Sequence, residues 1–336
     1  IRHIYLGNYI SLDDDVTFND LAEAMQAAWI DESLPTEPRS VDVVVHSTGG
    51  LVIRDWMTTH YKHDTNPIYR LLMLAPANFG SHLAHKGKSF IGRVFKGFKS
   101  EKPFQTGTHI LNGLEVASPY SWELAKKDLF GGSTWYGSGK VLCTVLIGTK
   151  GYSGISSIGN QSGSDGTVPV SCANLNASRL ILDFANDPQN PTARPIGARG
   201  VTAFSRLPKE NHSTIAFKDG GPKNAKTQEL IIKALTVTDA TFMMHCNELE
   251  EYSYFPAEVA FLRGYCLLAD LQYVAANGAL RDFLANFPDA PPRLMVPARQ
   301  MLLELANRQP GRIGDVVDLM DYSGRRLSYG DSGQRV

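Results

Sequence analysis

The sequence predicts an α/β fold built on a mostly parallel sheet, with a lid or cap inserted into it and a helical appendage at its C-terminal end. Three observations carry this reading. Short apolar runs bounded by turn residues alternate with helical patterns through the first 240 or so positions, which is the signature of strands joined by helical crossovers. From Ser81 to Gly139 that alternation lapses. Beyond Val237 the texture becomes helical without intervening strands. A chain of 336 residues accommodates two domains, or one large domain with an insertion.

The runs that read as strands are IRHIYLGNYI, VDVVVH, IYRLLMLA, KVLCTVLIG and RGVTAF. Between the first two, Thr17 can cap a helix whose third position is Asp20, with Val16 stapled to Leu21. Phe18, Leu21, Met25 and Ala28 then share one face of that helix. NAKTQELIIKALTV, from Asn224 to Val237, reads as the closing helix. PAEVAFLRGYCLLADLQYVAANGALRDFLANF and RLMVPARQMLLELANR follow with helical spacing, parted by Pro288, Pro291 and Pro292. The expected division is therefore 1–238 for the main domain, with its cap at about 82–139, and 239–336 for the appendage, which ends in a polar tail from about Ser323. No internal repeat is visible.

Composition removes several function classes. Lys and Arg total 33 against 34 Asp and Glu, a net charge of −1, so no overall basic field attracts nucleic acid. No 18-residue apolar stretch exists to span a membrane, and the first residues lack the pattern of a retained signal peptide. The chain begins at Ile1 rather than Met, which is expected of a processed or trimmed product. Cys143, Cys172, Cys246 and Cys266 are far apart and show neither CxxC spacing nor a Cys/His cluster. They fit buried reduced thiols better than a zinc site or a disulfide framework, and favour a reducing compartment.

The chemistry is concentrated in three loops. Val41 to Arg54, VDVVVHSTGGLVIR, runs an apolar strand into a serine, two glycines and a helical pattern, the context in which a nucleophilic serine sits on a sharp strand-to-helix turn. Small neighbours let such a turn form. Gly49 meets that need, whereas Val45, two before Ser47, departs from the G-x-S-x-G pattern. A serine hydroxyl attacks an ester only when a histidine takes its proton and a carboxylate orients that histidine, in the chain order Ser, Asp, His for this arrangement. Asp165, in GSDGTVPV, follows the strand KVLCTVLIG. His212, in KENHSTI, follows RGVTAF. Of the nine histidines, His46 adjoins Ser47 and reads more as a packing residue than as the base.

HSTGGLVIR, LAPANFGS, SDGTVPVS and ENHS resemble the motifs of α/β-hydrolase lipases and esterases, especially the group that includes GPI-inositol deacylase-like lipases. The resemblance covers roughly Ile1 to Val237. It implies an α/β-hydrolase fold, with Ser47 as nucleophile, His212 as base and Asp165 as the acid of a catalytic triad. The Thr48 N–H would be one oxyanion donor, and His46, Asn78 and Phe79 are expected to border the substrate. No HG-containing loop precedes Ser47, so a second donor is expected from a segment before Ile1 or from a nearby loop.

These features imply a serine hydrolase that cleaves acyl esters through an acyl-enzyme, a lipase, phospholipase or carboxylesterase, with no cofactor and no metal. In HKGKSFIGRVFKGFKSEKPF, six basic residues between Lys86 and Lys102 accompany Phe90, Ile91, Val94, Phe95 and Phe98 at helical spacing. Such a segment, about 86–104, can contact a membrane surface or simply cap the core. Lys150-Gly151-Tyr152-Ser153-Gly154 lacks the lysine and hydroxyl of a phosphate loop, and Cys246 with Glu248, Glu250 and Glu251 reads as a charged segment rather than a metal site. Two rivals remain open: a catalytically weak hydrolase-like binding protein, and a serine peptidase or thioesterase on the same fold. Nothing in the sequence decides oligomeric state, or between a cytoplasmic protein and an exported effector.

Overall fold

The computed structural model describes residues 2–10, 16–84, 108–154, 157, 160–161, 163–189, 191–253, 261, 263–265, 268, 273–286, 292–306, 319–320 and 326–327. The segment expected at the membrane, 86–104, and Cys266 lie outside them. Two compact units divide the chain, Ile1–Glu250 and Glu251–Val336.

The first unit is built around four parallel strands, β1 (Val41–His46), β2 (Ile68–Leu74), β3 (Leu142–Gly148) and β6 (Ala203–Leu207), in the order β1-β2-β3-β6. β3 is buried at all seven positions, as its unbroken apolar run LCTVLIG requires of an inner parallel strand. β1 forms one border of the sheet, and Val44 there is half exposed. Helices α1 (Phe18–Asp31), α2 (Gly49–His60), α3 (Thr108–Gly113), α4 (Pro119–Asp128), α5 (Val170–Ala173), α6 (Lys226–Thr236) and α7 (Phe242–Ser253) accompany the strands. Between α5 and β6 a separate antiparallel hairpin is formed by β4 (Ser178–Asp183) and β5 (Thr192–Gly197).

The α1 start forms as its residues predict. Thr17 Oγ1 accepts the Asp20 N–H while Asp20 Oδ2 accepts the Thr17 N–H at 2.8 Å, a reciprocal cap that satisfies two otherwise orphaned donors. Phe18, Leu21, Met25 and Ala28 are buried, and Trp29 meets Trp56 of α2 with ring centroids 4.5 Å apart. Burial of each large apolar side chain contributes about 1.5–3 kcal/mol, so this helix pair is a principal support for the turn that precedes α2. Within the stretch expected to form a cap, Ile110, Leu114, Leu124, Ala125, Leu129 and Tyr136 join this same core.

Two strand expectations need correction. Among the described residues of IRHIYLGNYI no strand is formed: Leu6–Asn8 is a single 3-10 turn, and these residues have no described partner in the sheet. RGVTAF enters the sheet only at Ala203. Its first residues are held elsewhere, because Gly200, at φ 83, passes so close to the Tyr136 carbonyl that a Cβ would lie 2.1 Å from it, and Thr202 is tied to Asn176.

In the second unit, α8 (Tyr273–Asn286) and α9 (Pro292–Ala306) bury Ala276, Leu280, Phe283, Met295, Ala298 and Met301 against one another. Two dipeptide strands, β7 (Leu319–Met320) and β8 (Arg326–Leu327), pair antiparallel.

Candidate active site

Ser47 is the first of the two residues between β1 and α2, and its φ of 57 places it in the left-handed region that costs a non-glycine residue about 1–3 kcal/mol. The surroundings fix it there. Its N–H donates to the Leu74 carbonyl at 3.0 Å, and its own carbonyl accepts from Gly50 at 3.1 Å and Ala77 at 3.2 Å. A Cβ at Gly49 would stand 3.2 Å from Val45 Cβ, and one at Gly50 would stand 2.8 Å from Pro76 Cβ. Glycine at 49 thus accommodates the valine that departs from the usual small residue at 45.

His212 brings the other two loops to this turn. Its Nε2 is 2.9 Å from Ser47 Oγ, and its Nδ1 is 2.8 Å from Asp165 Oδ2. With Nδ1–H donating to the carboxylate, Nε2 carries the lone pair and accepts the serine proton. All three side chains are buried, at 2% exposure for Ser47 and His212 and 0% for Asp165. Asp165 is fixed as well: Oδ1 accepts the N–H groups of Thr167 and Val168 at 2.9 and 2.7 Å, and its carbonyl accepts the His212 N–H. Gly166, at φ 93, lets that loop turn against Tyr152, whose ring would lie 2.7 Å from a Cβ there.

Thr48 has helical torsions at the head of α2, and the Leu51 and Val52 N–H groups donate to its carbonyl at 3.0 and 3.2 Å. A cavity of about 580 Å³ opens beside these residues, walled by β1 from Val41 to His46 and by Ile4, Leu6, Met25 and Trp29. The N-terminal segment expected as a strand therefore serves as cavity wall.

The remaining expected residues have other placements. His46 adjoins these three side chains: its Nε2 donates to the His212 carbonyl at 2.9 Å, and the two rings are 4.7 Å apart. Burial, and then the neighbouring His212, hold its pKa well below 6.5, so it is neutral at pH 7. Asn78 has no exposed surface, and its Nδ2 donates to the Ala173 carbonyl at 2.8 Å. Phe79 is half buried and meets Trp122 edge-on, with centroids 6.1 Å apart.

Three buried charged residues that no local pattern announces, Glu210, Arg54 and Asp128, complete the support. Glu210 accepts from the Lys223 and Asn224 N–H groups and from the Thr214 and Thr227 hydroxyls at 2.6–2.8 Å, anchoring the loop that carries His212. Arg54, on the buried face of α2, forms a two-point bridge to Asp128 at 2.7 and 2.9 Å and donates to the Asn78 carbonyl. Tyr136 donates to the same Asp128 carboxylate. Burial alone would lower the Arg54 pKa, but the Asp128 charge outweighs it and raises it. The only sequence signal is an arginine within the apolar helical run LVIRDWM.

Among the described residues, no group of three or more His, Cys, Asp or Glu side chains is placed to hold a metal ion, and no helix is long and apolar enough to cross a membrane. Cys143, Cys172 and Cys246 are buried free thiols, with burial raising the pKa of Cys172 and of Cys246 to about 11.

No family model matches the chain, and no curated protein matches it. Among solved structures, the phospholipase PlaB from Legionella pneumophila superposes with a TM-score of 0.60 and 32% identity over 73% of this chain and 54% of that one. The same phospholipase in complex with thio-NAD gives 0.59 and 30% over 74% and 55%. The mature lipase BlEst2 from Bacillus licheniformis aligns at 0.34 and 15% over 49% and 64%, too loosely to bear on the site. The chain spans about half the length of the PlaB chains it matches. The parallel sheet with flanking helices, shared with PlaB over nearly three quarters of this sequence, is an α/β-hydrolase fold.

Proposed function

We propose that this chain is a serine hydrolase that cleaves acyl esters of lipids, a phospholipase or lipase working through Ser47, His212 and Asp165. The observation that carries the proposal is the continuous hydrogen-bonded line from Asp165 Oδ2 through the His212 ring to Ser47 Oγ, at 2.8 and 2.9 Å. Similarity to a phospholipase favours a lipid ester over other acyl compounds. Nothing beyond the motifs of the sequence singles out the GPI-inositol deacylase-like group.

In this reading the ester carbonyl enters from the cavity beside β1. His212 Nε2 accepts the Ser47 proton as Oγ attacks, and the imidazolium that results is stabilised by Asp165, which keeps its charge. The Thr48 N–H meets the developing oxyanion, a contribution of about 3 kcal/mol for one such donor. His212 then returns the proton to the departing alcohol. Water, deprotonated by the same imidazole, releases the acyl group from Ser47. The basic segment 86–104 belongs to the proposal as a contact with the lipid surface, and the stretch 82–139 as its cap.

The test is release of fatty acid from phospholipid vesicles and from triacylglycerol emulsions, run beside an aminoacyl amide and a thioester. Lipid hydrolysis lost in Ser47→Ala supports the proposal. Amide or thioester turnover without lipid hydrolysis would transfer the same triad to a peptidase or thioesterase. Absence of turnover on all four leaves the hydrolase-like binding protein.

A further inference from the structure

Beyond His212 the chain makes a 3-10 turn over Thr214–Ala216 and then holds two non-glycine residues, Phe217 and Asp219, at φ 62 and 51, with Gly220 at 69. A left-handed residue that carries a side chain costs about 1–3 kcal/mol, and such strain concentrates where a ligand is clamped. The backbone is pinned in this shape. The Lys218 N–H donates to the Ser213 carbonyl at 3.1 Å, and the Gly221 N–H donates to the Lys218 carbonyl at 2.9 Å. A Cβ on Gly221 would collide with the Thr214 carbonyl. Lys218, between the two strained residues, is thus tied by one hydrogen bond to the residue next to His212.

That turn sets Lys218 in the wall of the cavity that contains Ser47. The other Lys, Arg, Asp and Glu side chains of the wall are already matched: Arg2 pairs with Glu32 at 2.9 Å, and Asp42 with Arg70 at 2.8 Å. Lys218 makes no ion pair among the described residues, not even with Asp219 beside it. Its charge reaches the site, since it joins burial and His212 in lowering the His46 pKa. Ile4, Leu6, Met25 and Trp29 make the opposite wall apolar, and Phe217, next to Lys218, is 48% exposed. An apolar cavity with one uncompensated lysine suits a ligand that joins an apolar chain to an anionic group.

We propose that Lys218 anchors the headgroup of the substrate: its ammonium binds the phosphodiester of a glycerophospholipid while an acyl ester of the same molecule lies at Ser47. This rests on the hydrolase reading and narrows it, from acyl esters of lipids to those that carry a phosphate. Lysine meets a phosphate as a compact point charge with three donors. A neutral glyceride can occupy the same apolar wall but offers Lys218 no anion, so discrimination between the two falls to this side chain.

Dibutyroylphosphatidylcholine and dibutyroylglycerol, each in monomeric solution, test it, because they carry the same acyl groups and differ in the phosphocholine. The quantity read is the ratio of kcat/KM for the phospholipid to kcat/KM for the diglyceride. In wild-type protein it is expected to favour the phospholipid and to fall as salt screens the contact. Lys218→Ala should lower the ratio at least about tenfold, as loss of a hydrogen bond to a charged group requires. Lys218→Arg keeps the charge and should hold the ratio within about threefold of wild type. A free anion bound at Lys218 would move both esters together, whereas the substrate's own phosphate moves the ratio. The proposal is overturned by a ratio unchanged in Lys218→Ala, whether turnover is kept or is lost on both esters alike, and by a ratio that falls as far in Lys218→Arg. Both results leave the wild-type hydrolase reading standing. Wild-type turnover of neither ester overturns that reading, and the headgroup anchor with it.

Discussion

His46 and His212 are joined through the backbone: His46 Nε2 donates to the carbonyl of His212 at 2.9 Å, with the two rings 4.7 Å apart. The side chain next to Ser47 thereby fixes the loop that carries His212. Phenylalanine in place of His46 keeps a ring of similar bulk and deletes the donor, whereas glutamine retains a donor near the same reach. His46→Phe is expected to lower kcat about tenfold or more with KM little changed, and His46→Gln to recover most of that loss, as a positioning hydrogen bond worth about 1–1.5 kcal/mol requires. Steady-state kinetics on a soluble ester measure both. Equal losses in the two variants would reduce His46 to a packing residue.

Asp165 holds the His212 tautomer while its other oxygen binds two backbone N–H groups. Asparagine can preserve the backbone contacts through its carbonyl oxygen and present an amide N–H to Nδ1, which forces the proton onto Nε2. Asp165→Asn should therefore reduce kcat by about 10⁴ at neutral pH with the fold retained. A loss under tenfold, in protein with a wild-type melting temperature, would remove Asp165 from the mechanism.

Arg54 and Asp128 are both fully buried and bind each other at two points. Truncating one partner strands a charge in the core. Asp128→Ala should cost about 3–5 kcal/mol of unfolding free energy, while Arg54→Met together with Asp128→Leu should cost markedly less than the two single changes added. Urea denaturation of the three variants reads this directly, and strict additivity would contradict it.

Much of the candidate site is legible in sequence because it depends on local context. An apolar strand ending at Ser47, an aspartate between Ser164 and Gly166, and a histidine beyond β6 each sit at a strand end, and the parallel sheet brings those ends together. The α1 cap is legible for the same reason, since Thr17 and Asp20 lie three positions apart. What escapes is whatever depends on distant partners. IRHIYLGNYI has the composition of a strand, but among the described residues it finds no ladder beside β1. The Asn78 side chain donates to a carbonyl 95 positions away, at Ala173. Glu210, Arg54 and Asp128 are charged residues whose burial is set by partners up to 74 positions away. The β4–β5 hairpin is only weakly written in the sequence, since Arg179 to Phe184 alternate polar and apolar over only part of their length.

His245 supplies a pH test of the core. It is buried beside Thr144, 3.1 Å from Nε2 to the hydroxyl, and burial, opposed by Glu248 and assisted by Lys233, lowers its pKa to about 4. The unfolded chain takes up this proton near pH 6.5 and the folded chain only near 4. Between those values unfolding is coupled to proton uptake, so stability falls as pH falls, by up to about 3 kcal/mol across the whole interval. Denaturant unfolding at pH 6.5 and 4.5 should show a smaller acid-side loss in His245→Gln than in wild type. An identical loss in both would place His245 in solvent in its unprotonated and protonated forms alike.

The central claim is that His212 makes the Ser47 hydroxyl nucleophilic. Exposure of the folded protein to a fluorophosphonate, followed by peptide mass spectrometry, tests it without presupposing a substrate. The account predicts one stoichiometric adduct on the peptide containing Ser47, abolished in Ser47→Ala and slowed by orders of magnitude in His212→Ala. An unlabelled Ser47, or an adduct that forms as fast without His212, would contradict it.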